Sequence, residues 1–291
     1  METKQAALVK LHFTVFIFGF TAILGRLITL EEGPLVWYRM MIASAAMLFL
    51  PRFWKGIKTV KPRDGIKVAL TGGVVAIHWV TFFGAIKFSN VSFALCMMAT
   101  ASFFTSILEP IILKRPFSKK EILLGLMVLP GIFLVFQFST FYLNGMVLGL
   151  VSAFLAALFG TLNKTFATKM KPIAISFIEL FTGFIILSIL MPLYLHYRPD
   201  ATLAITEQMD IIWLLILGVV CTTLAFIFSV DVLKELSAFT TALAINLEPI
   251  YGIILAIIIF KENEELGGNF YIGAGLIVLA ILLNGIIKNR K

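Results

Sequence analysis

Charge is scarce in this sequence. Of its 291 residues only 14% are Asp, Glu, Lys or Arg, while 60% are hydrophobic and the mean hydropathy is +1.00. A soluble domain carries roughly 25% charged residues and has too little interior to hide so much apolar surface, so a soluble fold is excluded. Cysteine is nearly absent too. Cys96 and Cys221 fall inside apolar runs without C-x-x-C or Cys/His spacing; this excludes a disulfide framework and a zinc site and leaves two packing residues. No G-x-x-x-x-G-K-[ST] loop, H-E-x-x-H or G-x-S-x-G occurs, so direct ATP use and common hydrolytic centres have no motif here. No cofactor and no metal are expected. There is no linker or low-complexity tract, and the short connections leave no room for the selectivity loop of an ion channel.

What is present is a series of apolar runs. A helix needs about 20 residues to cross a hydrocarbon core, and ten stretches approach that length: 8–28, 34–54, 66–86, 91–113, 121–138, 145–166, 173–195, 211–231, 237–260 and 270–288. The fold class expected is an all-α integral membrane protein with the lipid bilayer as its surroundings. Lys4 and Lys10 precede the first run in the manner of a signal peptide, but no small-x-small cleavage site follows, so this run reads as a retained helix.

The net charge of +8 sits in short clusters between the runs. It forms no basic domain, so no nucleic-acid partner is expected. With the N-terminus placed in the cytoplasm, 19 of the 24 basic residues fall inside, among them Arg52 to Lys67, Lys114 to Lys120 and Lys164 to Lys171, against Arg26, Lys87, Arg198 and Lys261 outside. That bias orients membrane proteins; it puts both termini in the cytoplasm and requires an even number of spans.

The second half echoes the first. Arg26 pairs with Lys164 and Pro34 with Pro172 at a separation of 138, Gly73-Val74-Val75 with Gly218-Val219-Val220 and Ser92 with Ser237 at 145, Lys114 with Lys261 at 147, and Gly125 with Gly273 at 148. Five spans per unit is odd, so the second copy enters the membrane inverted, as in many secondary transporters. The units are 1–143 and 144–291, forming one transmembrane body. The match of Leu108-Glu109-Pro110 with Leu247-Glu248-Pro249 lies at 139, out of register with its surroundings, and reads as coincidence.

Charged groups within a bilayer cost roughly 2.5–3.5 kcal/mol on insertion scales, so each needs a partner, water or a function. Glu248 lies near the middle of its span on a stripe with Thr240, Ala244, Gly252 and Ala256; it reads as a cavity carboxylate able to bind a proton or an amine, or as a paired glutamate beside the break at Pro249. His78, with Trp79, Phe82 and Phe83 after it, combines a group that titrates near neutrality with faces for aromatic or cationic ligands; the alternative is a histidine bonded to a neighbouring helix. Glu248 and His78 are the candidates for proton coupling. Arg39 is placed to hold a substrate carboxylate, or else to snorkel outward or pair with Glu31 or Glu32. Glu179, Asn246 and Asn163 are further binding candidates whose other reading is interhelical hydrogen bonding. Glu109 and Asp231 read as interfacial charges near Lys114 and Lys234. Gly145, Gly149, Ala153 and Ala157 recur every four residues, a pattern for close helix packing.

With the run His78-Trp79-Val80-Thr81-Phe82-Phe83 through Lys87-Phe88-Ser89-Asn90-Val91-Ser92, Arg39 and Lys261-Glu262, the chain resembles the drug/metabolite transporter superfamily, and within it the ten-helix EamA-type permeases. It departs in having Arg115 where the second copy has Glu262. The resemblance implies a basket of helices around a cavity lined mainly by helices 1, 3, 4, 6, 8 and 9, with helices 5 and 10 peripheral and available for a homodimer contact. It implies small organic substrates such as amino acids and nucleotide precursors, often exported across the inner (plasma) membrane. The expectation is therefore a secondary transporter and not an enzyme; the alternative is an intramembrane enzyme acting on lipid or lipid-linked substrates.

Overall fold

The structure is a computed structural model that describes residues 4–127, 130–131, 142–264, 267–276 and 279. The described residues are helical with no strand. Their main elements are α1 (Lys4–Leu27), α2 (Glu32–Leu48), α3 (Pro51–Ile57), α4 (Pro62–Lys87), α5 (Val91–Met98), α6 (Ala101–Leu113) and α7 (Lys119–Leu126), then α8 (Leu143–Ala167), α9 (Pro172–Tyr197) and α10 (Gln208–Leu215), a π-helical segment (Ile216–Leu224), α11 (Ala225–Val232), α12 (Ala238–Ile245) and α13 (Glu248–Phe260). Among these residues seven helices or helix pairs are long and apolar enough to cross a membrane, eight if α2 and α3 count as one broken span. The protein is a multi-pass membrane protein. Half of the expected span 121–138 and more than half of 270–288 lie outside the described residues.

Proline sets several starts. Pro51, Pro62 and Pro172 stand in the first turn of α3, α4 and α9, where the missing N–H costs nothing. The expected span 34–54 is a correction: α2 stops at Leu48 and the chain bends by 92° into α3, because Pro51 cannot continue the ladder and fits a new first turn.

Two spans are broken in the same way. α5 ends at Met98 and α6 begins at Ala101; α12 ends at Ile245 and α13 begins at Glu248, so every bound differs by 147 residues. Lys114 and Lys261, which terminate α6 and α13, are the only described non-glycine residues with positive φ, at 52° and 56°. Asn90 and Ser237 cap α5 and α12 through side-chain oxygens, so Ser237 corresponds to Asn90, not Ser92. Glu109 is the ninth residue of α6, whereas Glu248 is the first of α13.

The two broken spans are tied to each other at three levels. At one end Glu262 accepts the N–H groups of Val91 and Ser92 at 3.1 and 3.0 Å and pairs with Arg26. At the other, Glu109 accepts the N–H groups of Ala238 and Phe239 at 3.2 and 2.8 Å and pairs with Arg115. Each carboxylate meets the positive end of a helix belonging to the other span. Between them the Asn246 amide donates to the Ala99 carbonyl and the Ser102 hydroxyl.

Around this pair, α4 packs on α8 and α9, α2 on α9 and the π-helical segment, and α1 on α13 and α11. Gly145 and Gly149 face Ser89 and Met97 so closely that a Cβ would collide. Cys96 and Cys221 are free and buried. Beyond the spans, Arg198 gathers Glu31, Glu32 and Asp200; its hydrogen bond holds the exposed Asp200 below the ordinary carboxylate range.

Candidate functional site

A cavity of about 130 Å³ lies between α1, α2, α4, α6, α8, α11, α12 and α13. One water needs about a tenth of that space, so the cavity has room for more than a single water. Its lining runs from Arg39, Trp79 and Glu248 to Leu233 and Ala238. The latter end is where Lys164 bonds the Leu233 carbonyl and Lys10 and Lys234 hold Asp231. Toward the opposite end Phe83 packs on Gly25, Leu95 packs on Gly252 and Arg26 pairs with Glu262.

Arg39 enters from α2 and is 1% exposed. Its guanidinium lies 3.7 Å from the Trp79 ring centroid and its Nε donates to Thr222 Oγ1 at 2.7 Å. Thr222 is placed by the π-helical segment: its hydroxyl donates to the Leu217 carbonyl five residues back, as that of Thr223 does to Gly218. Such segments often occur where backbone geometry serves a site. Arg39 Nη1 is buried with no hydrogen-bond partner among the described residues. Arg39 therefore neither snorkels nor pairs with Glu31 or Glu32, which Arg198 engages instead.

Glu248 opens α13 and lines the same cavity. Its charge interacts with that of Arg39, yet neither an ion pair nor a hydrogen bond engages its carboxylate among the described residues. Trp79 stands edge-on to Phe226 at 5.7 Å, and Phe82 completes the apolar wall. Thr21 and Thr161 line the cavity with buried hydroxyls that have no hydrogen-bond partner among the described residues.

Of the residues singled out from sequence, Arg39, His78, Trp79, Phe82, Asn163 and Glu248 meet at this cavity. Phe83, Asn246 and Glu179 do not line it. Phe83 packs on Gly25, Asn246 serves the helix breaks, and Glu179 lies behind Asn163, whose amide donates to it at 3.2 Å. His78 reaches the cavity but its Nδ1 lies 2.9 Å from both the carbonyl and the hydroxyl oxygen of Ser152, the bonded-histidine alternative. Thr222, Thr21, Thr161 and Phe226 were missed; the one sequence signal for Thr222 was a Thr-Thr pair inside an apolar run. Among the described residues no group of three or more His, Cys, Asp or Glu could hold a metal ion.

The sequence profile of the EamA-like transporter family matches residues 6–137 and again 143–286. The chain belongs to the EamA-like transporter family. A relative described as an uncharacterized transporter, YyaM of Bacillus subtilis (strain 168), is 23% identical and covers 97% of this chain and 96% of its own. A crystal structure superimposes with a TM-score of 0.74 at 13% identity, over 97% of this chain and 98% of that one; at such identity the likeness concerns the fold. Membership makes this protein a membrane transporter.

Proposed function

We propose that the protein is a secondary transporter that moves small organic metabolites, amino acid-like, nucleoside-like or amphipathic, across the inner membrane by alternating access, with export as its direction. Ten transmembrane helices form two five-helix halves of opposite orientation, 1–143 and 144–291, with both termini cytoplasmic. The double match of the family profile, the 147-residue correspondence of the two broken spans and the basic bias support this architecture. In this orientation the cavity faces the cytoplasm and the Arg26–Glu262 end is the closed outer gate.

One observation carries the reading. Arg39 and Glu248 present opposite charges to one cavity, the first with an unpartnered N–H group and the second with no hydrogen-bonded partner among the described residues. An unpaired charge buried among membrane helices is costly; a ligand with a carboxylate for Arg39, a cationic amine for Glu248 and an apolar body for Trp79, Phe82 and Phe226 satisfies both.

Thermal unfolding of the purified protein against amino acids, nucleosides and cationic drugs tests this. A ligand at 100 times its Kd adds about 2.7 kcal/mol of stability. Arg39→Gln is expected to abolish stabilisation by carboxylate ligands and Glu248→Gln that by amines. Stabilisation indifferent to both variants overturns the site, and stabilisation by lipids alone removes small organic metabolites as the substrate class.

A further inference from the structure

Behind the cavity wall, where α4, α8 and α9 meet, sits a second carboxylate. Glu179 is fully buried, and its Oε1 has no hydrogen-bond partner among the described residues. One contact reaches the other oxygen, the Asn163 amide at 3.2 Å. The Oδ1 of Asn163 is also buried and unpartnered, as is the hydroxyl of Ser176, one turn from Glu179 on the same helix face. A helical serine ordinarily returns its hydroxyl to a carbonyl of the preceding turn; Ser188 of α9 does so to Phe184, and Ser176 does not. Three buried oxygens on adjacent helices are thus left without a hydrogen-bonding partner.

No described cation balances the charge. The charged and titratable groups of the packed elements are engaged elsewhere: Arg39 of α2 with Trp79 and Thr222, His78 of α4 with Ser152, Lys164 of α8 with Leu233, and Asp231 of α11 with Lys10 and Lys234. Glu32 of α2 is held by Arg198. Arg52 and Lys55 of α3, and Arg63, Asp64, Lys67 and Lys87 of α4, form no hydrogen bond or ion pair with Glu179. An isolated carboxylate cannot stay ionised in such a place and takes up a compensating positive charge. The donors are oxygens only, which suits a hard monovalent cation and not a soft metal.

We propose that Glu179, Asn163 and Ser176 form the binding site of the coupling ion, a single monovalent cation, separate from the substrate site at Arg39 and Glu248. Asn163 belongs to both, since one side of it lines the cavity and its amide holds Glu179. The backbone of α4 is pressed on α9 at this point: a Cβ on Gly72 would fall 2.4 Å from the Glu179 carbonyl oxygen. Filling the site therefore acts on the junction of α9 with α4 and α8, two helices of the cavity wall. The coupling role rests on the transporter reading; occupation of the site does not.

The test needs no substrate. Thermal unfolding is measured in sodium chloride and in choline chloride of equal strength, and infrared spectra of the carboxylic C=O stretch are taken across a pH series in sodium-free buffer, for the wild type, Glu179→Gln and Glu248→Gln. A saturable sodium-specific rise in Tm lost only in Glu179→Gln identifies the ion as sodium. A protonated-carboxyl band near neutral pH that survives Glu248→Gln and disappears in Glu179→Gln identifies it as a proton. An ionised Glu179 at neutral pH with no sodium dependence overturns the proposal. Should Glu179→Gln not fold, Asn163→Ala and Ser176→Ala are expected to shift the sodium midpoint or the pH of the band, and unchanged values in both overturn it equally. Ion binding without any organic ligand in the panel above leaves this site standing and removes the substrate reading; the reverse result removes only the site.

Discussion

The side-chain amide of Asn246 donates a hydrogen bond of 3.1 Å to the carbonyl oxygen of Ala99, its counterpart 147 residues earlier at the break of the other divided span. A carbonyl freed by a helix break has no water to turn to at membrane depth, so one interrupted helix supplies what the other lacks. Asn246→Ala is expected to lower stability by about 1–2 kcal/mol, toward the upper end for an interhelical polar contact in a membrane. Ser102→Ala, which leaves the stronger bond from Asn246 to Ala99 in place and removes its own at 3.3 Å, costs less. Thermal or denaturant unfolding in detergent compares the two, and equal effects would count against the break as the site that matters.

The terminal carboxylates predict an asymmetry. Glu262 is buried and serves Val91, Ser92 and Arg26, whereas Arg115 divides itself between Glu109 and Glu121. Removing the charge at a helix N-terminus weakens charge-assisted bonds worth about 1.5–3 kcal/mol each. Glu262→Gln should therefore destabilise more than Glu109→Gln, and Arg26→Ala should destabilise by leaving Glu262 without its cation. The readout is Tm together with protease access from each side of sealed vesicles.

Glycine substitutions separate packing from binding. A Cβ on Gly72 meets the Glu179 backbone, while one on Gly160 meets nothing within 4 Å although Gly160 lines the cavity. Gly72→Ala is expected to cost about 1–3 kcal/mol through overpacking. Gly160→Leu should leave stability within about 0.5 kcal/mol of wild type and weaken the binding of any ligand found in the panel. Ligand affinity unchanged by Gly160→Leu would place the binding site elsewhere.

His78 gives a prediction of the opposite kind. Because Ser152 holds its ring with two oxygens, its role is to join α4 to α8. His78→Ala is expected to lower stability by about 1–3 kcal/mol as the Ser152 groups lose their partner, while leaving the pH profile of ligand binding in place. A shifted profile at undiminished stability would return His78 to proton coupling.

Much of the framework was legible in the amino acids. Sustained hydropathy located α1, α4, α8 and α9 to within a few residues, and the paired Lys114 and Lys261 marked equivalent helix ends before their shared left-handed backbone was visible. The cost of burying charge picked out Arg39, Glu248, His78 and Asn163, which do meet at one cavity.

The apolar sequence by itself determined that these segments are membrane helices, because transfer free energy sums along a segment regardless of its neighbours. It could not determine which side of each helix faces the cavity, since hydropathy is unchanged when a helix rotates about its axis. Tertiary structure decided that Glu179 and Asn246 turn into helix contacts while Glu248 turns to open space. It decided that Thr222, carried by a π-helical turn, meets Arg39. The break at Ala99 is likewise tertiary: no proline marks it, and the carbonyl it frees accepts from Asn246 of the other half of the chain as well as from the nearby Ser102 hydroxyl.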